Sequence, residues 1–187
     1  MSATQWKLDP AHSQVEFSVK HMMFTTVRGQ FADVDGTVHL DQDDPAKSSV
    51  AVEIDAGSID TRSEDRDKHL RSGDFLDVEN HPKLTFRSTR IEGSTVVKPG
   101  AEFKVIGDLT IRGITKEVVL DARFEGTGTD PWGGTRAGFS ARTKLDRRDY
   151  DLTWNQALET GGVLVGHDVT IELQVQTVQQ QEAAVGS

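Results

Sequence analysis

Phe103-Lys-Val-Ile-Gly-Asp-Leu-Thr-Ile111 and Val118-Val-Leu-Asp-Ala-Arg-Phe124, with Gly113 between them, decide the reading of the fold. In the first run Phe103, Val105, Leu109 and Ile111 share one side of an extended chain. In the second, Val118, Leu120, Ala122 and Phe124 do the same. A period of two marks a strand with one buried and one wetted face, and two such runs flanking a glycine read as a hairpin.

The same alternation recurs outward from that hairpin. Val15, Phe17 and Val19 oppose Gln14, Glu16, Ser18 and Lys20, and Val50, Val52 and Ile54 oppose Ser49, Ala51 and Glu53. Leu84 and Phe86 open another strand. The stretches 29–40, Ala137 to Leu145 (with Phe139 inside it) and Val163 to Val175 bring the total to about eight strands. Turn-prone runs such as Asp41-Gln-Asp-Asp-Pro45 and Thr129-Asp-Pro-Trp-Gly-Gly134 join them. The expected class is all-β: an extended, antiparallel, eight-stranded lipocalin-like β-barrel, because closure removes the edges that an open sheet exposes. A two-sheet sandwich is the structural competitor. The interior of an eight-stranded barrel is either filled by side chains or just wide enough for one small ligand.

Two short helices interrupt the strands. Thr61 and Glu64 make a capping box for a helix around 62–72, with Gly73 as its stop. Its charges, Arg62, Glu64, Asp65, Arg66, Asp67, Lys68 and Arg71, read as a solvated face, with Asp67 and Arg71 spaced as an i,i+4 pair. Leu70, Phe75 and Leu76 close this segment and fit either a lid across one barrel end or a simple core contact. A second helix is expected around 154–160, boxed by Thr153 and Gln156, with Trp154 and Leu158 on one side and Gly161 at its end. Residues 1–178 form one domain, and 179–187 have no period and are expected to be a disordered tail.

Composition narrows the function. Twenty-one basic and thirty acidic residues leave a net charge of −9, which repels phosphate backbones, so nucleic acid is not an expected partner. The absence of cysteine removes disulfides, thiolate nucleophiles and cysteine zinc sites. No run of about 18 apolar residues spans a membrane. The first residues lack a basic and then apolar leader, which reads as cytoplasmic, or as periplasmic if the chain is a trimmed mature form. His12, His21, His39, His69, His81 and His167 sit in separate elements without metal-ligand spacing, so no metal site is expected. Asp9, His12 and Ser13 have triad chemistry but lie within five residues of one extended segment. They read as strand-entry hydrogen bonding, and no G-x-S-x-G elbow supports a hydrolase. No catalytic residues are assigned, and the chain does not read as an enzyme.

Gly29, Gly36, Gly107, Gly113, Gly138 and Gly166 punctuate the strands, where glycine marks a bend, a bulge or a close approach. A curved sheet with interior glycine leaves volume that no side chain fills, and a long apolar void favours a chain-like guest.

At this point an ordered set of motifs is recognisable: Trp6-x-Leu8-Asp9-x-x-His12-Ser13-x-Val15-x-Phe17-x-x-x-His21, then Gly29-x-Phe31, Ser58-Ile59-x-Thr61, Arg66-Asp67-x-His69-Leu70, Asp74-Phe75-Leu76, Pro82-x-x-x-Phe86-x-Ser88 and Gly107-x-Leu109-x-x-x-Gly113-x-Thr115. The set covers nearly the whole chain and resembles the YceI-like polyisoprenoid-binding family. The resemblance implies an extended lipocalin-like barrel that holds an isoprenoid or similar chain, often as a homodimer, with no catalytic residues to carry over. Well-known members are periplasmic and carry a signal peptide, which this chain does not show. Arg147-Arg148-Asp149-Tyr150-Asp151 is similar to a family segment in which glycine follows the aromatic. Asp151 at that place is expected to alter the loop at the barrel mouth.

The expected function is to bind and carry or store a long apolar ligand, of isoprenoid quinone or prenyl-lipid type, without a cofactor. The expected lining is Val15, Phe17, Val19, Val50, Val52 and Ile54 from the first half of the chain. Phe75, Leu84, Phe86, Val105, Leu109, Val118, Leu120, Phe139 and Trp154 complete it. His21, Arg142 and Tyr150, at strand ends, are placed to orient a polar head group. The alternative is a binding or scaffolding module with a filled core that acts through its acidic outer face.

Overall fold

The computed structural model describes residues 4–93, 97–156, 158 and 163–181. Its strands are β1 (Thr4–Leu8), β2 (Gln14–His21), β3 (Thr25–Phe31), β4 (Val34–Leu40), β5 (Ser49–Asp55), β6 (Ile59–Asp60), β7 (Lys83–Glu92), β8 (Glu102–Ile111), β9 (Ile114–Thr129), β10 (Thr135–Asp146) and β11 (Val165–Gln179), with one α-helix, α1 (Glu64–Arg71). All pairings among them are antiparallel.

The neighbours run β1-β4-β5-β7-β8-β9-β10-β11, and β11 returns to β1 through Trp6↔Gln179 and Leu8↔Thr177, which closes an eight-stranded barrel. Two of the walls are long, bent strands. β1 and β2 are one path interrupted by a 3-10 turn at Pro10–His12, where proline removes a backbone donor and Asp9 caps the turn by accepting from Ala11 N. β11 follows the bend, pairing with β1 at its end and with β2 along Val15↔Leu173 to His21↔Val165. β3 and β4 bend together at Ala32 and Asp33, whose backbone N–H groups are taken up by Ser58 O and Ser58 Oγ.

The β8–β9 hairpin forms as its alternation requires. Phe103 faces Ala122 and Val105 faces Leu120, and the tight turn falls at Arg112 and Gly113, both in the left-handed region. Leu8, Val15, Val52, Ile54, Leu84, Phe86, Val105, Leu109 and Ile111 are buried inside the barrel. β11 continues through Gln179, and Gln180 N donates to Gln5 O, so the ordered wall passes the expected boundary at 178. Residues 182–187 of the expected tail lie outside the described residues.

The first helix is found, with a different cap. Ser63, not Thr61, accepts from Arg66 N, because Arg62 stands at φ 63° and cannot join a right-handed helix. Thr61 is occupied otherwise: its N–H and Oγ1 both donate to Asp67 Oδ1, at 2.9 and 2.5 Å. Asp67 is therefore buried and not part of a solvated face. Arg71, its expected i,i+4 partner, donates instead to Gly57 O and Ile59 O. These bonds pin α1 to the 57–61 segment and set Leu70, Phe75 and Leu76 across the barrel end. The second expected helix does not form over 154–156, which run irregularly beside β11; Asn155 bridges to Val165 through its Nδ2 and Oδ1. Residues 157, 159 and 160 of that expected helix lie outside the described residues.

Candidate functional site

The barrel is hollow. A cavity of about 290 Å³ runs inside it, and its wall is almost wholly aliphatic and aromatic. β8 contributes Phe103 near one end and Ile111 near the other, eight residues or roughly 27 Å of strand apart. With a barrel tilt of about 40° that separation spans roughly 20 Å along the axis. A cavity of this volume drawn out over that length favours a chain-like guest.

Packed side chains lie at both ends. At one end Trp6, Leu40, Phe124 and Ala137 form a separate buried cluster, with the Trp6 indole N–H donating to Thr4 Oγ1. At the other, Leu70, Phe75 and Leu76 from α1 and its following loop line the cavity, which makes this segment an end wall. Trp154 packs on the outside of that wall, with ring centroids 5.5 Å from Phe75 and 4.6 Å from His69.

Of the residues expected to line the site, Val15, Phe17 and Val19 of β2 and Val50, Val52 and Ile54 of β5 border the cavity. So do Phe75, Leu84, Phe86, Val105, Leu109, Val118, Leu120 and Phe139. Four others stand away from it. His21 ends β2 opposite Val165, and Trp154 is behind Phe75. Arg142 points out of the barrel, where its guanidinium lies 3.6 Å from Glu172. Tyr150 is buried in the core beside the cavity without bordering it, and its hydroxyl has no hydrogen-bond partner among the described residues. Burial pushes the Tyr150 phenol up to about 12.

The wall also contains residues that the sequence analysis does not single out. Val169, Ile171, Leu173 and Val175 of β11 alternate inward, a legible pattern inside the stretch already read as a strand. Arg147 carries no such signal. It is buried at the α1 end of the cavity, and its guanidinium donates only to carbonyls: Gly166 O, Leu152 O, Trp154 O and Val165 O. Desolvation lowers its pKa from the ordinary arginine value. Four neutral acceptors hold the cation where no carboxylate lies within 4 Å among the described residues, and they tie 152–154 to the start of β11.

The triad-like residues form a structural network. His12 Nδ1 lies 2.6 Å from Asp9 Oδ2, but Ser13 Oγ exchanges hydrogen bonds with the Gln176 backbone and does not meet His12. Arg136 Nη1 donates to Asp9 Oδ2 at 2.7 Å and its Nε donates to Asp130 Oδ2 at 2.8 Å. This joins the bend after β1 to the β9–β10 turn. The Arg136 guanidinium, and then His12, hold the Asp9 carboxyl down to about 2. Asp151, expected from the family resemblance to alter its loop, adopts φ 58° and its N–H donates to Arg148 O. The left-handed turn forms, because aspartate tolerates that region better than most side chains.

An eight-stranded antiparallel barrel closed around an apolar tunnel defines a lipocalin-like hollow barrel. The family model described as the YceI-like domain matches residues 6–177, and the chain belongs to that family. It is 42% identical over 152 residues to the protein YceI of Escherichia coli, covering 80% of this chain and 77% of that one. To the protein YceI of Salmonella newport it is 41% identical over 153 residues, covering 81% and 78%. Among solved structures, the Campylobacter jejuni YCEI protein superposes with a TM-score of 0.70 at 28% identity, over 87% of this chain and 90% of that one. Burkholderia cenocepacia BcnA gives 0.77 at 22% identity over 90% and 98%. A polyisoprenoid binding domain from Saccharophagus degradans gives 0.68 at 12% identity over 94% and 98%; these last two share the fold.

Proposed function

We propose that this protein binds a long, flexible apolar molecule of the polyisoprenoid class inside the barrel, and that it carries or stores that molecule without transforming it. The observation behind this reading is the tunnel itself: roughly 20 Å of continuous apolar wall around about 290 Å³ of space. Proteins fill their cores to crystal-like density, so a void of this size lined by Phe, Leu, Ile and Val forfeits packing unless a guest completes it. Each methylene buried there contributes roughly 0.8 kcal/mol, so about ten bring the gross term near that of a micromolar complex before ordering costs. Membership of the YceI-like family and the shared fold with a polyisoprenoid binding domain support the ligand class.

Three polar side chains on the wall are engaged in holding the protein together. Thr143 Oγ1 donates to Val119 O, Ser140 Oγ to Glu125 Oε1, and Arg147 to its four carbonyls. Thr143 and Arg147 meet only backbone carbonyls, and the one hydroxyl–carboxylate pair, Ser140 with Glu125, is solvent-exposed, which supports binding over catalysis.

Replacing Val105 or Phe17 by Asp puts a carboxylate into the tunnel and tests the reading directly. The expected result is loss of lipid from organic extracts of the purified variants. Variants that keep native circular dichroism and still yield stoichiometric lipid would show that the tunnel is not the site.

A further inference from the structure

The turn joining β2 to β3 exposes three consecutive apolar side chains. Met22 is 41% exposed, Met23 59% and Phe24 80%. Phe24 N donates to His21 O at 3.1 Å, and Met22 and Met23 between them stand at φ 50° and 67°. His21 pairs with Thr25, so this is a three-residue loop whose first two residues are left-handed, a backbone that favours Asn and Gly there and disfavours long side chains. The chain accepts backbone strain and solvent-exposed thioether and phenyl groups at one spot, and neither serves the barrel's own packing.

The turn lies in a stretch of chain poor in acidic residues. From Phe17 to Ala32 there is no aspartate or glutamate, while Lys20, His21 and Arg28 lie in that span, in a chain whose net charge is −9. Lys20 Nζ is held by a neutral hydroxyl, Thr26 Oγ1, at 3.0 Å. Asp168, on the neighbouring strand, is neutralised by Lys144 at 3.3 Å. The turn also adjoins the tunnel: Met22 N donates to Leu164 O, and Val165, next after Leu164, and Val19, three residues before Met22, belong to the tunnel wall.

We propose that the Met22–Phe24 turn is a membrane-docking tip that inserts its three apolar side chains into an anionic lipid surface. Lys20 and Arg28 meet the head groups beside it. Methionine and phenylalanine gain from the acyl boundary, and flanking cations gain from anionic head groups, each screened by salt. Docking in this pose brings the Val19–Val165 end of the tunnel to the bilayer, where an apolar guest is exchanged without crossing water; that consequence alone rests on the binding function proposed above.

The test exploits the strain. Met22→Asn, Met23→Gly and Phe24→Ser combined give the turn its preferred residues, so the variant is expected to melt at or above the wild-type temperature while losing the apolar tip. Both proteins are sedimented with phosphatidylcholine vesicles containing roughly one third phosphatidylglycerol. The expected result is wild-type binding that weakens with added salt, and partitioning lower by roughly tenfold or more in the variant. Wild-type protein that does not sediment with vesicles, or a folded variant that binds equally well, overturns the proposal. So does a wild-type dimer, seen by light scattering, that the variant converts to monomer while vesicle binding is unchanged, since the tip would then cover a second copy of this chain. Lipid extraction from the same preparations separates the two readings: vesicle binding by a protein with an empty barrel upholds docking and removes the cargo.

Discussion

The Phe17 ring lies across Gly29 on the neighbouring strand, so that a Cβ at position 29 would stand 2.3 Å from Phe17 Cζ. Phe17 faces the tunnel, and Thr61, whose methyl would be 2.8 Å from the same Cβ, is held in place by Asp67. The ring is the neighbour that gives way furthest. Gly29→Ala is expected to push Phe17 into the tunnel and, because the Thr61 methyl must also give, to cost roughly 1–3 kcal/mol of stability while lowering ligand uptake. Chemical denaturation combined with a lipid-uptake assay checks both halves.

Gly107 makes the contrasting case. A Cβ there would meet the Arg87 carbonyl at 2.4 Å, and backbone cannot rotate aside as a ring can. Gly107→Ala is expected to destabilise the fold by roughly 2 kcal/mol or more, read as a lower denaturation midpoint. An unchanged midpoint would mean that β7 and β8 are not packed as described.

Asp151 occupies a left-handed position that glycine adopts freely. Asp151→Gly is expected to raise stability by about 0.5–1 kcal/mol, and Asp151→Val to lower it by a similar or larger amount. Thermal melts of the two variants should move in opposite directions.

The buried Tyr150 hydroxyl has no partner among the described residues. Leaving such a group unsatisfied costs about 1–3 kcal/mol, so Tyr150→Phe is expected to be neutral or stabilising. A marked loss of stability in urea would reveal a partner for that hydroxyl.

Acid should loosen the bend after β1. The folded-state pKa of Asp9 is depressed to about 2, chiefly by Arg136, below its ordinary value of 3.8. The stability that this contributes is complete above the ordinary value and is lost as pH falls toward about 2. Melting temperature measured from neutral pH down to this range should drop for wild type, with a shallower drop for Asp9→Asn.

Much of the architecture was legible because period-two alternation records which face of a strand is buried, and Val105 and Leu120 meet across β8 and β9 as that rule requires. Helices were less legible. A mixed-charge run such as 62–72 looks solvated, yet Asp67 is buried through contacts with Thr61 that spacing along the chain does not encode. At 154–156, Asn155 bonds to Val165, a tertiary contact that outweighs the local capping signal. The tunnel wall followed from alternation, whereas the polar positions did not: Arg142 sits at the right distance along β10 but on its outer face, paired with Glu172. Arg147, one of four charges in a row, gives no sign in the sequence that it alone is buried.

The central claim is that the barrel holds an apolar chain, and native mass spectrometry of the purified protein, followed by organic extraction of what it releases, tests it most directly. The account predicts a stoichiometric adduct whose extract is a prenyl lipid or isoprenoid quinone. A bare protein that also fails to take up added prenyl lipids would contradict it.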